Sequence, residues 1–167
     1  MTLGLSLETF TLVHVLISLV GVISGILVLI GMLKGEARGQ WTVLFLASTI
    51  LTNVSGFGFP FSSLLPSHIT AIVSLVVLSI AVVALYSFRL AGPWRLVYVV
   101  TSMAALYLNV FVLIVQAFLK VPALNGLAPT GSELPVTIVQ GIVLLIFVVL
   151  TVMAAKRFHP AWIQQSA

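Results

Sequence analysis

The sequence predicts an all-α integral membrane bundle of five transmembrane helices, N-terminus outside and C-terminus cytoplasmic, with residues 1–167 forming one domain. Three observations carry this expectation. The chain is 61% hydrophobic and 6% charged, with a mean hydropathy of +1.30. A globule of 167 residues has too little interior to hide that apolar fraction, so a bilayer must cover what the fold does not. Five apolar segments, at roughly residues 10–33, 41–61, 68–88, 95–118 and 135–155, match the ~20 residues that a hydrocarbon core of ~30 Å requires. Finally, Lys34, Arg38, Arg89, Arg95, Lys156 and Arg157 fall on one side of that threading and only Lys120 on the other, a strong positive-inside bias.

Each segment is justified by what bounds it. The first follows MTLGLSLETF, which has neither a basic region nor a small-residue cleavage site, so the span is expected to be retained. KGEARGQ (34–40) separates it from the second. The second ends in GFGFPF and runs into SSLLPS without a charge, so a broken helix or partial re-entry is anticipated at its outer end. The third opens at His68, with Ser67 as its expected N-cap. RLAGPW (89–94) turns the chain into the fourth. The outer loop of residues 119–134 holds Pro122 and Pro129 in a nearly uncharged stretch and reads as a stiff flap closing the outer end of the bundle. Pro135 suits the first turn of the fifth span, with Ser132 or Glu133 at its start. Trp41, Trp94, Tyr98 and Trp162 are expected at the cytoplasmic interface, where amphipathic rings settle.

The polar residues inside these spans pose the functional question. STILTNVSGFGFPF (48–61) gathers hydroxyls, an amide and two glycines, and helical spacing puts Thr49, Thr52, Asn53, Gly56 and Pro60 on one stripe. Span 1 answers with His14, Ser18, Gly21 and Gly25, span 4 with Ser102, Ala105, Asn109 and Gln116, and span 5 with Thr137, Gln140 and Gly141. Membrane helices associate through small residues and interhelical hydrogen bonds, so these stripes read first as packing surfaces joining spans 1, 2, 4 and 5. Asn53, Asn109, Gln116 and Gln140 are the intramembrane polar candidates, and a path for a small neutral solute past Asn53 and Asn109 is the sharper alternative.

A second constellation comes from depth. His14 lies 20 residues from Lys34, His68 lies 21 from Arg89 and Gln116 lies 21 from Arg95. At 1.5 Å per residue all three stand about 30 Å from the basic side, in one outer layer. Two imidazoles on two helices are what haem b needs as axial ligands, so His14 and His68 are candidate cofactor-binding residues, with hydrogen bonding at the interface as the plainer account. No third ligand stands at that depth to complete another metal site. His159 reads as a tail residue.

Other classes are disfavoured. Between the interfaces no Asp, Glu, Lys or Arg occurs in any span, against a proton relay or voltage sensor. No catalytic residue is assigned, because no nucleophile, base and acid share a depth and no Gly-rich phosphate loop follows a strand. The absence of cysteine removes disulfides and thiolate sites. The basic residues occur in ones and twos between apolar runs, which indicates a lipid bilayer and not nucleic acid as the main partner. Other membrane subunits, or further copies of the chain, remain candidate partners.

The segments YLNVFVLIVQAFLKVPALNGLAPTGSELP, FLASTILTNVSGFGFPF and LPSHI resemble a group of small multi-pass bacterial inner-membrane proteins that carry no established activity. The resemblance covers nearly the whole chain. It implies a bacterial inner membrane, and no catalytic role transfers from it. The functional expectation is therefore a structural or accessory membrane protein, with a bis-histidine b-type cytochrome as its rival.

Overall fold

The computed structural model describes residues 4, 6–37, 39–60 and 66–160. Among these residues every regular element is helical: α1 (Leu7–Lys34), α2 (Gly39–Gly56), α3 (Pro66–Val82), a π-helical turn (Val83–Ser87), α4 (Trp94–Lys120), the short α5 (Pro122–Asn125) and α6 (Leu134–Arg157). Four helical stretches are long and apolar enough to cross a membrane: Leu7–Lys34, Ser67–Ser87, Trp94–Lys120 and Leu134–Arg157. The second segment differs from the expectation. Its helix has 18 residues and stops at Gly56, and its Thr, Ser and Asn content keeps it out of that apolar class.

Local chemistry explains the ends. Ser6 caps α1 by accepting from the Thr9 N–H at 3.1 Å. Gly35 closes α1 in the left-handed conformation at φ 76°, and Glu36 N–H donates back to Gly31 O at 2.9 Å. The end of α2 tightens through Phe57 N–H to Val54 O and Gly58 N–H to Ser55 O. Gly58 is required there by crowding: a Cβ would stand 2.7 Å from Phe10 Cζ. Pro60 thus lies beyond the helix and is exposed, and it does not continue the Thr49–Gly56 stripe. Ser67 is not an N-cap either, because α3 begins at Pro66, whose missing N–H suits a first helical turn. Glu133 does hold the N-cap position of α6.

Between α3 and α4 the chain makes a turn that costs backbone energy. The π turn is closed by Phe88 N–H to Val83 O, and Leu90 N–H reaches Ala84 O at 3.0 Å. Arg89 and Leu90 follow with φ of 48° and 59°, a left-handed pair without glycine. Such residues cost about 1–3 kcal/mol each and persist only where their surroundings hold them. Here the Leu90 side chain is 1% exposed in the core, and Phe88 stacks on Trp94 at 3.8 Å with the rings nearly parallel.

Packing joins α1 to α2, α4 and α6, and α3 to α2 and α4. Where hydrocarbon surrounds such a bundle, close approach rather than apolar burial selects the contacts. Gly21 and Gly25 provide it on α1. A Cβ on Gly25 would meet Leu106 Cδ1 at 2.5 Å and Phe45 at 2.9 Å, and one on Gly21 would meet Thr49 Oγ1 at 3.1 Å. The third span is as central as the others: Ser74, Leu78, Ala81 and Ala84 on one side of α3 and its π turn are essentially inaccessible. The stripe expected on span 5 is reduced to Gln140, since Thr137 and Gly141 are exposed.

Two details tie the basic end together. Arg95 donates from Nη1 to Ala155 O and Phe158 O, each at 2.8 Å, satisfying carbonyls that the last turn of α6 leaves open. Gly35 sits against Arg157 O, at 3.0 Å from where its Cβ would be. At the other end the outer loop packs on α4 and α6, with Phe118, Ala128 and Val136 buried together. The proline-rich flap thus closes the α4–α6 end, and it includes the unanticipated α5. Arg38, Phe61, the residues 62–65 and Trp162 fall outside the described residues.

Candidate functional site

Three polar regions lie at three depths. At the end away from the basic residues, the turn after α2 places two aromatic rings against the two histidines. His14 Nδ1 is 2.8 Å from Ser55 Oγ, and its ring meets Phe59 edge-on at 5.1 Å. His68, 4% exposed in the first turn of α3, stacks on Phe57 at 5.4 Å. Both imidazoles therefore contact residues 55–59, from opposite neighbours of α2. Gln116, expected in the same layer, is exposed on α4. Ser18, beside His14 on the stripe, spends its hydroxyl on Val15 O within α1.

At mid-depth a seam of amides and hydroxyls joins α2 to its neighbours. Asn53 Nδ2 donates to Thr49 O at 2.7 Å and to Ser74 Oγ at 3.1 Å. Asn109 Nδ2 donates to Thr49 Oγ1 at 3.0 Å. Thr49 is thus the meeting point of α2 and α4, and the missing side chain at Gly21 brings α1 against the same place. On the far side Gln140 Nε2 donates to Phe111 O at 2.9 Å, joining α6 to α4. Its Oε1 is buried with no hydrogen-bond partner, as is Ser102 Oγ. Such pairings let a helix as polar as α2 sit inside the bundle, because each amide that leaves water finds another acceptor.

At the basic end a partly open cavity of about 300 Å³ lies between α1, α2, the π turn and α4. Its walls are mainly apolar and include Val28, Met32, Leu85 and Leu90. Thr42 and Tyr98 supply hydroxyls, and Glu36 stands at the exposed edge. The Tyr98 hydroxyl lies beside those of Thr42 and Ser102. A second cavity, of about 310 Å³, is a shallow groove between α1 and α2 lined by outward Leu16, Val20 and Leu51. Neither cavity is lined by His14, His68, Asn53 or Asn109.

Tyr98 is the residue that sequence reading misplaced. Its position three residues after Arg95 suggests an interface ring, yet it is 2% exposed and faces inward. The available signal was its phase: Tyr98, Ser102, Ala105 and Asn109 recur at helical spacing on the buried side of α4. Thr42 was missed because it precedes the polar cluster of residues 48–61. Among the described residues no group of three or more His, Cys, Asp or Glu stands together as a metal site. No family model, curated protein or solved structure matches the chain. The functional reading therefore rests on this geometry.

Proposed function

We propose that the chain is a structural or accessory protein of a bacterial inner membrane, crossing it five times with the N-terminus outside. The fifth crossing is α2, whose 18 residues extend roughly 27 Å at the helical rise. Two things support this count: α2 runs between α1 and α3, and its polar side chains turn toward them. The basic ends of α1, α4 and α6 gather at one end of the bundle, which fits a cytoplasmic side there.

The observation that carries the structural role is that Asn53, Asn109 and Gln140 are each hydrogen-bonded to another helix or to their own backbone, beside no described cavity. Amides spent in this way fasten helices. A solute path would leave them facing open space. The outward face of α6 is the surface for a partner subunit, with Leu145 68% exposed and Ile138, Ile142 and Val149 beside it.

The chain lacks cysteine, so topology is testable without altering the background. A single cysteine replacing Ser132 is labelled by an impermeant maleimide from outside intact cells, whereas one replacing Glu36 is labelled only after permeabilisation. The reverse pattern would remove the orientation. A photo-crosslinking side chain at Leu145 is expected to yield a discrete protein adduct in cells. Adducts with lipid alone would exclude a partner on that face.

A second reading, a b-type cytochrome with His14 and His68 as axial ligands, is favoured by one contact. The Ser55 hydroxyl at Nδ1 orients the His14 ring, as outer hydrogen bonds do at metal sites, but the turn of residues 55–59 touches both imidazoles and neither lines a described cavity, so that turn would have to move for the two to hold a haem. A reduced-minus-oxidised visible spectrum of protein from haem-replete cells decides it. Bands lost in His14→Ala and His68→Ala support the cytochrome, and a colourless protein ends it.

A further inference from the structure

We propose that the cavity at the basic end binds a membrane-dissolved amphiphile with a single apolar body and an uncharged hydrogen-bonding head, the head lying against Thr42 and Tyr98. The inference rests on the chain lying in a bilayer, and it is independent of any partner at α6.

Two independent features of the fold meet at this cavity. One is its volume of about 300 Å³, at the lower end of the range typical of small-ligand sites. That space suits one chain or ring and not a two-chain lipid. The other is the backbone around it. Leu85 and Tyr86 belong to the π turn, and Leu90 is one of the two left-handed residues. π turns and left-handed non-glycine residues concentrate where a fold serves a ligand, because they re-aim side chains that a regular helix would pack. Leu85, Tyr86 and Leu90 from this irregular stretch line the cavity together with Val28 and Met32.

The polar groups select the head. Thr42 and Tyr98 each carry a hydroxyl able to donate and accept. Tyr98 lines the cavity, with its hydroxyl beside those of Thr42 and Ser102. Hydroxyls alone cannot compensate a buried charge, so a neutral alcohol or carbonyl is matched and an ionised head is not. Glu36 is the charged side chain among the described lining residues, and it stands at the exposed edge.

The test uses the full chain in liposomes and a diazirine-bearing long-chain alcohol, with labelled peptides mapped by mass spectrometry. Saturable labelling around Met32 and Leu85 is expected, against labelling at Leu145 that rises linearly as for bulk lipid. Val28→Phe enlarges a buried side chain that lines the cavity and should abolish the saturable part. Thr42→Val, nearly isosteric, should weaken it about fivefold, one hydrogen bond's worth, while leaving a diazirine alkane without a hydroxyl unaffected. Labelling at Met32 as linear as at Leu145, or unchanged in both variants, would overturn the proposal. So would equal competition by the carboxylate or amine analogue of the same chain length.

Discussion

Replacing Gly25 by alanine tests whether close approach at α1 organises the bundle. The new methyl would stand 2.5 Å from Leu106 Cδ1 and 2.9 Å from Phe45 Cδ2 and Cε2. Carbon contacts settle at about 3.5–4.0 Å, so Leu106 must retreat by about 1 Å. It has little room, since Leu106 and Phe45 are each 1% exposed. Overpacking of this kind costs about 1–3 kcal/mol, set against about 1 kcal/mol gained in helix propensity. Gly141→Ala on α6 supplies the control, because a Cβ there meets nothing within 4 Å. The propensity gain is common to both variants and cancels in their difference. That difference should be about 2 kcal/mol, roughly thirtyfold in the folded-to-unfolded ratio, measured by reversible SDS unfolding in mixed micelles. Leu106→Val removes the clashing Cδ1 and should recover part of the loss in the Gly25→Ala background. Two alanine variants of equal stability would refute the claim that α1 packs through this glycine.

Thr49→Val and Asn109→Leu, combined in a double-mutant cycle, should show a coupling near 0.6 kcal/mol and no more than about 1.7 kcal/mol. Zero coupling by the same unfolding assay would mean that the 3.0 Å contact does not fasten α2 to α4. Arg95→Gln removes a guanidinium donor from two carbonyls and should cost about 1.5–3 kcal/mol, with hydrogen exchange rising first over residues 150–158. Protection unchanged there would show that the α6 terminus holds without it. Glu133 carries a pH dependence. The Thr130 N–H at Oε1, with Ser132 N–H at Oε2, holds its carboxyl below the usual carboxylate range. A depressed folded pKa means that the turn before α6 is fully supported above the ordinary glutamate pKa and loses that support as pH falls through the lowered value. Amide exchange at Thr130 and Ser132 should accelerate over that acidic window and become pH-insensitive in Glu133→Gln, apart from intrinsic exchange.

Much of the architecture was legible because it depends on partition. A run of about 20 apolar residues seeks hydrocarbon whatever its neighbours are, so α1, α3, α4 and α6 follow from composition alone. Glu133 and Pro135 announced the start of α6, and Gly21 and Gly25 the inner face of α1, because caps and close approaches depend on side-chain type over a few residues. The site was less legible. Partnership depends on helix phase and on where each helix ends, and those are set by contacts between segments far apart in sequence. The choice of Ser74 as the acceptor for Asn53, and of Thr49 as the acceptor for Asn109, required the neighbouring helices to be in place.

The sequence by itself determined four apolar helices long enough to cross a membrane, because hydropathy acts on each segment separately. Only the tertiary structure decided that α3 lines the centre, that Tyr98 turns inward, and that Arg89 and Leu90 adopt a left-handed turn beside a cavity. Those features oppose local preference. The left-handed pair stands because the surrounding helices hold Leu90 in the core.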